Sequence, residues 1–268
     1  MRRFVATTYR LCAHWIFVLG GDLSKMKAVF NPKNIFHFIQ TRHALRAQLS
    51  GDDQWPWGRS YPILWDRKEP GGTMQGHYFH QDLYVARAIF KANPDRHGDI
   101  GSRTDGFVAH VASFRSIEML DIRPIVSAVP GIVFRQADLM QLPKDLVGEF
   151  DSISSLHAIE HFGLGRYGDP VDAYGYKKAI ANVRELLKPG GTFYFSVPIG
   201  RQRIEFNGQR VFSVAHLLQV LEGKFAVVGF SYVDDAGDFH PNVELTEEVV
   251  RGNCGCTFGC GIFTLKAV

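Results

Sequence analysis

The sequence predicts a doubly wound α/β fold with a mostly parallel, seven-stranded sheet and an N-terminal helical extension. From about residue 97 onward, apolar segments of strand length alternate with helical segments, as is typical of parallel sheets with crossover helices. Several of the strand-like segments end in a glycine or an acidic residue, where open α/β sheets place their ligand contacts. A length of 268 residues suits one large α/β domain with a smaller appendage.

The predicted elements follow from apolar spacing and from local start and stop signals. We expect helices over residues 31–49, 78–92, 104–114, 173–188 and 212–222. We expect strands over residues 97–101, 116–122, 132–138, 150–158, 191–199, 225–235 and 260–267. The last two strands are expected to form a hairpin-like pair at the sheet edge. Before the fifth strand, Leu187-Lys-Pro-Gly-Gly191 stops the preceding helix.

Composition excludes several classes of protein. With 46% hydrophobic and 21% charged residues, the chain is neither disordered, collagenous nor coiled-coil. A net charge of +3 does not indicate nucleic-acid binding, and we expect no such partner. Four cysteines are too few for a disulfide scaffold, so a reducing, cytoplasmic location is expected.

The N-terminal extension, residues 1–75, is basic. Residues 1–50 hold eight Lys and Arg against one acid, Asp22. The apolar stretch 11–20 resembles a signal peptide, but it lacks a cleavage site and is too short to span a bilayer. We favour a packing segment, with a membrane-surface anchor as the alternative.

The helix over residues 31–49 has Asn31 as its N-cap and Pro32 at its first position. One face is basic, and it carries Lys33, Arg42, His43 and Arg46. This face is interpreted as solvated, and peripheral contact with anionic lipid or a phosphorylated carrier is the alternative. A turn-rich loop over residues 51–76 joins the extension to the domain over residues 76–268.

Candidate ligand contacts follow the first three predicted strands of the domain. Asp99-Ile-Gly101 forms a strand-to-helix turn in which the glycine permits close backbone approach to an anionic group. Asp121 ends the second strand about 20 residues beyond that glycine, a spacing that suits a ribose diol. Asp138 ends the third strand, at a position suited to an exocyclic amino group.

The order of these features, followed by Leu156-His-Ala-Ile-Glu-His161 and Leu187-Lys-Pro-Gly-Gly191, resembles that of class I S-adenosylmethionine-dependent methyltransferases. The resemblance covers roughly residues 95–267 and implies a Rossmann-like fold. Three further segments resemble an uncharacterised bacterial family of unknown function that is associated with surface-polysaccharide gene clusters. These segments are Gly76-His-Tyr-Phe-His-Gln-Asp82, His161-Phe-Gly-Leu-Gly-Arg-Tyr-Gly-Asp169 and Ser196-Val-Pro-Ile-Gly200.

The resemblance implies S-adenosylmethionine as cofactor. It assigns Gly101 to the methionine end, Asp121 to the ribose and Asp138 to the adenine, and it places His157 near the methyl-transfer position. Asp99 and Arg103 belong to the same turn and complete the predicted cofactor contacts. The usual glycines of this turn are replaced here by Arg103 and Asp105, so that Arg103 either binds the methionine carboxylate or blocks the pocket.

Catalytic candidates lie after the fourth strand. For a hydroxyl acceptor, methyl transfer needs positioning and removal of a proton, for which histidine is the natural base. His157 and His161 share a face if this stretch is helical, and Glu160 is placed to orient either ring. The alternative is that one histidine only caps or packs.

Two loops supply candidate acceptor contacts. The glycine-rich loop carries Arg166, Tyr167 and Asp169, and it is interpreted either as a cover for a sugar or as a simple connection. The loop after the fifth strand carries Arg203, Glu205 and Asn207. Arginines there suit the phosphate of a nucleotide sugar or lipid-linked precursor.

No metal site is expected, although two groups of residues have side chains that can bind metal ions. Asp234 and Asp235, with Asp238 and His240, offer oxygen ligands for Mg²⁺ or Ca²⁺, but are interpreted as a solvated turn. Cys254, Cys256 and Cys260 lack the paired Cys-x-x-Cys spacing of zinc sites and are interpreted as small residues in a tight turn.

The sequence therefore predicts a methyltransferase that acts on a hydroxyl of a saccharide or glycan precursor. One alternative is a catalytically silent methyltransferase-like module that binds a glycan intermediate or a partner enzyme. Another is a different reaction on a nucleotide sugar. The oligomeric state and the acceptor are left open.

Overall fold

The computed structural model describes residues 22–49 and 55–268. The described chain divides into two compact units, one ending at Thr73 and one beginning at Met74. The apolar stretch 11–20, with its predicted packing or anchoring role, lies outside the described residues.

The N-terminal unit contains helices α1 (Leu23–Val29) and α2 (Pro32–Gln48). The Asn31 side chain accepts a hydrogen bond from the Lys33 N–H, and Pro32 opens α2, so the predicted helix and its cap are confirmed. No side chain of α2 is fully buried within this unit. The guanidinium groups of Arg42 and Arg46 lie 5.6 and 5.7 Å from the ring of Trp57. Across the described part of the chain, none of the helices has the length and apolar character to cross a membrane.

The second unit is built on an eight-stranded sheet in the order β3-β2-β1-β4-β5-β10-β8-β9. The strands along the chain are β1 (His97–Ile100), β2 (Ile117–Asp121), β3 (Ile132–Gln136), β4 (Phe150–Leu156), β5 (Leu187–Ile199), β6 (Arg203–Glu205), β7 (Gln209–Val211), β8 (Phe225–Val233), β9 (Phe239–His240) and β10 (Gly259–Ala267). β1 to β5 are parallel, whereas β10 runs antiparallel to both of its neighbours. β6 and β7 form a separate hairpin.

Helices cover both faces of the sheet, as a doubly wound fold requires. They are α3 (His77–Ala92), α4 (Ala109–Ala112), α5 (Gly175–Leu186), α6 (Val214–Leu221) and α7 (Glu247–Arg251). Phe193 and Phe195 of β5 belong to the core cluster that includes α5 and α6, while Tyr194 between them belongs to the cluster that includes α3. Because successive strand residues point to opposite faces, the two clusters lie on opposite sides of the sheet. The predicted fold class is confirmed.

Four details of the prediction need correction. The sheet has eight strands rather than seven, because the two-residue strand β9 pairs with β8. The last two predicted strands do pair antiparallel, but β10 lies inside the sheet, between β5 and β8. β5 begins at Leu187, directly after α5, with a register shift beside β4. The helix predicted over residues 104–114 is a π-helical turn, Thr104–Val108, followed by the short α4.

The position of β10 inside the sheet generates a stability prediction. Phe263 of β10 is fully buried, with its ring 4.8 Å from that of Phe230 and 6.1 Å from that of Phe195. We expect Phe263→Ala to lower the free energy of unfolding by about 3–5 kcal/mol through lost burial and a cavity. Urea denaturation measures it, with Phe206→Ala as the control because Phe206 is 88% exposed. Equal effects of the two substitutions would contradict this placement of β10.

Candidate functional site

The candidate site opens where the order of the strands reverses. The chain leaves β1 for β2 and β3 on one side and returns to β4 on the other side of β1. The connections after β1 and β4 therefore diverge, and they leave a crevice at the carboxyl ends of these strands. Gly101 has φ 66° there, and a Cβ on it would lie 3.1 Å from the Cβ of Ala158. Glycine at this position thus permits both the turn and the close approach of the two connections.

A first pocket, open to solvent and with about 530 Å³ of empty space, extends from this crevice across the ends of β2 and β3. The pocket is lined by Gly101, Asp121 and Asp138, and by His157, His161, Tyr167 and Asp169. Apolar residues, Ile122, Ala137, Leu139 and Met140 among them, complete the wall beside the two strand-end aspartates. The structure thus brings four of the predicted cofactor contacts, Gly101, Asp121, Asp138 and His157, to one pocket.

Asp99 is buried and holds the turn after β1. Its carboxylate accepts hydrogen bonds from the Ser102 N–H at 3.0 Å, the Ser102 hydroxyl at 2.7 Å and the Ser154 hydroxyl at 2.6 Å. Burial raises the pKa of the Asp99 carboxyl to about 6, and these hydrogen bonds oppose the rise. Asp99 does not line the pocket, so the geometry gives it a role in positioning Gly101.

Asp121 is engaged by its neighbour Arg123. The carboxylate accepts hydrogen bonds from the Arg123 backbone N–H at 2.8 Å and from its guanidinium at 2.7 and 3.0 Å. The same guanidinium lies 4.4 Å from the ring of Tyr167, and Arg166 lies 5.0 Å from that ring. On the neighbouring strand, Asp138 accepts a hydrogen bond from the Met140 N–H at 2.9 Å. Both strand-end carboxylates therefore already have hydrogen-bond partners.

A second, wider pocket of about 1200 Å³ adjoins the first. The two pockets share Gly101, Asp121, Arg123, His157, His161 and Tyr167. Arg103 and Asp105 line only the second, where they form an ion pair of 2.9 Å with both side chains largely exposed. Arg103 also lies 4.8 Å from the ring of Tyr78. The residues that replace the usual glycines therefore pair with each other and leave the first pocket clear.

Gly106 makes a close contact near the turn after β1 that the sequence did not predict. A Cβ on Gly106 would lie 2.5 Å from Oδ2 of Asp82, so the glycine admits this carboxylate from α3. Burial raises the pKa of Asp82 to about 6. The available signals were the acid at the end of Gly76-His-Tyr-Phe-His-Gln-Asp82 and a second glycine five residues after Gly101. Neither signal shows that the two residues touch.

His157 follows β4 in a left-handed backbone conformation, with φ 51°. Its Nδ1 lies 2.8 Å from Oε1 of Glu160, so Glu160 orients this ring, as the sequence predicted for one of the two histidines. Burial by itself lowers the pKa of His157, but neighbouring Cys260 and Glu160 outweigh it and hold the pKa well above its ordinary value. The Nε2 atom is buried and has no hydrogen-bond partner in residues 22–49 and 55–268.

His161 lines both pockets and is oriented by a backbone carbonyl. Its Nδ1 donates a hydrogen bond of 2.8 Å to the Gly208 carbonyl, which leaves Nε2 as the lone-pair nitrogen. The ring meets that of Tyr167 edge to face at 5.5 Å. Burial lowers the pKa of His161, although the charge of Glu160 opposes the shift. His161 is therefore a neutral imidazole in the wall of both pockets, with Oε1 of Glu160 3.8 Å from its Nε2.

The glycine-rich loop is held together by Asp169. Its carboxylate accepts hydrogen bonds from the backbone N–H groups of Gly163, Gly165 and Tyr167 at 2.7, 3.2 and 3.1 Å. Arg166 donates a hydrogen bond to the Gly208 carbonyl at 2.8 Å. Of the predicted acceptor contacts in this loop, Arg166 lines the second pocket, Asp169 the first and Tyr167 both.

The loop after β5 is the β6–β7 hairpin. Arg203 pairs with Glu205 at 2.8 Å, and Asn207 forms the turn with φ 59°. These three predicted acceptor contacts are not among the residues that line the two pockets, whereas Gln209 of the same hairpin lines the second.

Arg210 of the hairpin is buried, and its guanidinium binds backbone carbonyl groups rather than an anion. Its guanidinium donates hydrogen bonds to the carbonyls of Glu160, Phe162, Asp172 and Ala173 at 2.6 to 3.3 Å. It thereby ties the segment after β4 to the chain before α5.

Asp234 and Asp235, two of the possible metal ligands, are held by hydrogen bonds within the protein. Asp234 accepts hydrogen bonds from the N–H groups of Ala236 and Asp238 and pairs with His240 at 2.7 Å. Asp235 accepts hydrogen bonds from the N–H groups of Thr257 and Phe258. Within the described ranges, neither the acids nor the three cysteines bring three ligand atoms together, whereas His77, His157 and Cys260 do.

A family of unknown function matches part of the chain. Its model, described as "Caenorhabditis protein of unknown function, DUF268", covers residues 131–252. This segment includes Asp138, the histidines after β4, the glycine-rich loop and the hairpin. A family of unknown function was predicted, while bacterial origin and the link with polysaccharide gene clusters stay predictions. A search of curated proteins gives no significant match.

Solved structures share the fold at low sequence identity. The [4+2]-cyclase SpnF is 15% identical, with 69% of this chain and 80% of that chain covered and a TM-score of 0.50. The 1,6-didemethyltoxoflavin-N1-methyltransferase of Burkholderia thailandensis, with bound S-adenosylhomocysteine, is 14% identical over 89% and 91% of the chains, with a TM-score of 0.49. The N-methyltransferase NodS of Bradyrhizobium japonicum, in complex with S-adenosylhomocysteine, is 14% identical over 85% and 98%, with a TM-score of 0.47. At such identities the likeness to SpnF shows the fold alone, an α/β architecture.

The Arg210 contacts generate a prediction about the ordering of this site. We expect Arg210→Met to lower the free energy of unfolding by about 2–4 kcal/mol, because buried carbonyls lose charged donors. We also expect faster proteolysis within residues 162–174. Urea denaturation and limited proteolysis measure the two effects, with Arg201→Met as the control because Arg201 is exposed. If both variants behave as wild type, Arg210 does not organise this segment.

Proposed function

We propose that the protein is an S-adenosylmethionine-dependent methyltransferase that methylates a hydroxyl group, with a saccharide or glycan precursor as the acceptor class. The observation that carries the proposal is the pocket at the switch point, which Gly101, Asp121 and Asp138 enter from three successive strand ends. A binding site at this position suits an extended nucleoside cofactor. The fold by itself does not specify the reaction, since one fold hosts many reactions.

The residues of the first pocket fit the cofactor. The close approach at Gly101 leaves room for the methionine portion, and the Asp121 carboxylate at the end of β2 is placed to accept hydrogen bonds from ribose hydroxyls. The apolar residues Ile122, Leu139 and Met140 offer a slot for a planar base, next to Asp138. When bound, the cofactor supplies an electrophilic methyl group.

His161 is the best-placed proton acceptor. Its Nε2 carries the lone pair because Nδ1 donates to Gly208, and the ring lines both pockets. A neutral imidazole in that place can take the proton of an acceptor hydroxyl as the oxygen is methylated. His157 is less suited, because its Nε2 is buried.

The second pocket is proposed to bind the acceptor. Arg166, Tyr167 and Gln209 line it, and they combine an aromatic face with polar groups, as suits a polar ligand such as a sugar. The guanidinium of Arg166 suits a phosphate on that ligand. A cytoplasmic location and peripheral membrane contact through the basic N-terminal segment are part of the same proposal, and both rest on the sequence.

A second candidate function has support from the site. Arg123 and the Asp121 carboxylate hold each other through three hydrogen bonds, which a ribose would have to displace in part. This arrangement favours a catalytically silent module that binds a glycan intermediate or a partner enzyme. Cofactor binding separates the two functions.

The first test is calorimetric titration with S-adenosylhomocysteine. We expect micromolar binding by the wild type, weakened about ten-fold or more in Asp121→Ala, because a hydrogen bond to a charged group contributes about 1.5–3 kcal/mol. Asp145→Ala is the control, since Asp145 is exposed and outside both pockets. No binding by folded wild-type protein would refute the methyltransferase and support the silent module.

The second test concerns the proton acceptor. We expect His161→Gln to lower S-adenosylhomocysteine production on a glycan acceptor by about 10²–10⁴-fold, with cofactor affinity unchanged. The pKa of His161 is lowered from its ordinary value of 6.5, so the ring stays neutral at pH 6.5. Wild-type activity is therefore expected to fall only at a more acidic pH. His110→Gln is the control, because His110 is exposed. Unchanged turnover in His161→Gln would exclude this role.

A further inference from the structure

Three potential metal ligands converge beside the crevice from distant parts of the chain. His77 opens α3, His157 follows β4, and Cys260 lies in β10, where it is fully buried. One ligand atom from each lies within 4.8 Å of the ligand atoms of the other two. Two imidazole nitrogens and one sulfur are the ligand types that Zn²⁺ takes in proteins.

The His157 ring is oriented as a metal-bound histidine would be. Its Nδ1 is paired with Glu160 at 2.8 Å, which holds a proton on Nδ1 and leaves Nε2 as the nitrogen that a metal ion would bind, with release of the proton there. The His157 side chain is only 6% exposed, and Nε2 has no hydrogen-bond partner in the described part of the chain. Buried polar atoms are nearly always paired, so a buried imidazole nitrogen with no partner points to a ligand.

The other two side chains are compatible with the same ion. The His77 ring lies parallel to that of His157, with the ring centres 5.2 Å apart, and packs against Phe258 at 5.5 Å. The Cys260 sulfur lies 3.5 Å from Oε1 of Gln81 and 4.0 Å from the Gly261 carbonyl oxygen. On metal binding the thiol would exchange its proton for the ion.

We propose that His77, His157 and Cys260 bind one zinc ion, with Glu160 as the residue that positions His157. The three side chains supply two nitrogens and one sulfur, which leaves a fourth coordination position for a further ligand. Mg²⁺ and Ca²⁺ prefer oxygen ligands and do not suit this set. His157 also lines both pockets, so the ion adjoins the crevice. Zinc binding does not depend on the proposed methyl transfer.

The test uses the full chain, freed of tag histidines and stripped with a chelator. Titration with Zn²⁺ is expected to give one equivalent bound per chain, measured by calorimetry and elemental analysis. Titration with Co²⁺ is expected to give a thiolate-to-metal charge-transfer band, which reports a bound cysteine. Mg²⁺ is expected to displace neither ion. Absence of a stoichiometric Zn²⁺ site would overturn the proposal.

Matched variants assign the ligands. Cys260→Ser is expected to abolish the charge-transfer band, and Cys254→Ser to keep it. His77→Asn, at a partly exposed position, is expected to weaken Zn²⁺ at least ten-fold, so the test stands even if Cys260→Ser fails to fold. Glu160→Gln is expected to keep the band and to weaken Zn²⁺ about 10–100-fold. Wild-type affinity in both Cys260→Ser and His77→Asn would overturn the assignment. Titration with S-adenosylhomocysteine, run separately, keeps this outcome apart from that of the methyltransferase proposal.

Discussion

The hydrogen bonds of the buried Asp99 carboxylate hold the two strands between which the crevice opens. The backbone ladder of β1 and β4 ends at the pair Asp99 and Ser154. Beyond that point Asp99 binds the Ser102 hydroxyl, and the same hydroxyl accepts a hydrogen bond from the Leu156 N–H. A chain of side-chain contacts therefore replaces the ladder where the two connections diverge. It fixes the distance between Gly101 and Ala158, on which the first pocket depends.

The acceptor side depends on one backbone carbonyl. The Gly208 carbonyl, at the turn of the β6–β7 hairpin, accepts hydrogen bonds from both His161 and Arg166. It thereby sets which nitrogen of His161 carries the proton and holds the glycine-rich loop against the hairpin. Arg210, two residues on, binds carbonyls on the same segment. The hairpin thus acts through its backbone and its buried arginine, whereas Arg203 and Glu205 pair with each other.

Much of the fold could be predicted because its signals are local. The Asn31 cap, the helix stop before Pro189 and Gly190, and the apolar strand segments each depend on neighbouring residues. Local patterns did not reveal the short strand β9, which is two residues long. They also placed β10 at the edge, because the position of a strand in a sheet depends on packing between distant segments.

The sequence by itself determined the alternation of elements, and hence the glycine and the two acids that meet at the switch point. Parallel strands put their carboxyl ends at one edge, so a residue at the end of each strand reaches the same site. Only the tertiary structure decided which side chains line the pockets and which form hydrogen bonds that hold the backbone, as those of Asp99, Asp169 and Arg210 do. It alone brought His77, His157 and Cys260 together. Their proximity depends on the packing of α3, β4 and β10, and no characteristic spacing in the sequence indicates it.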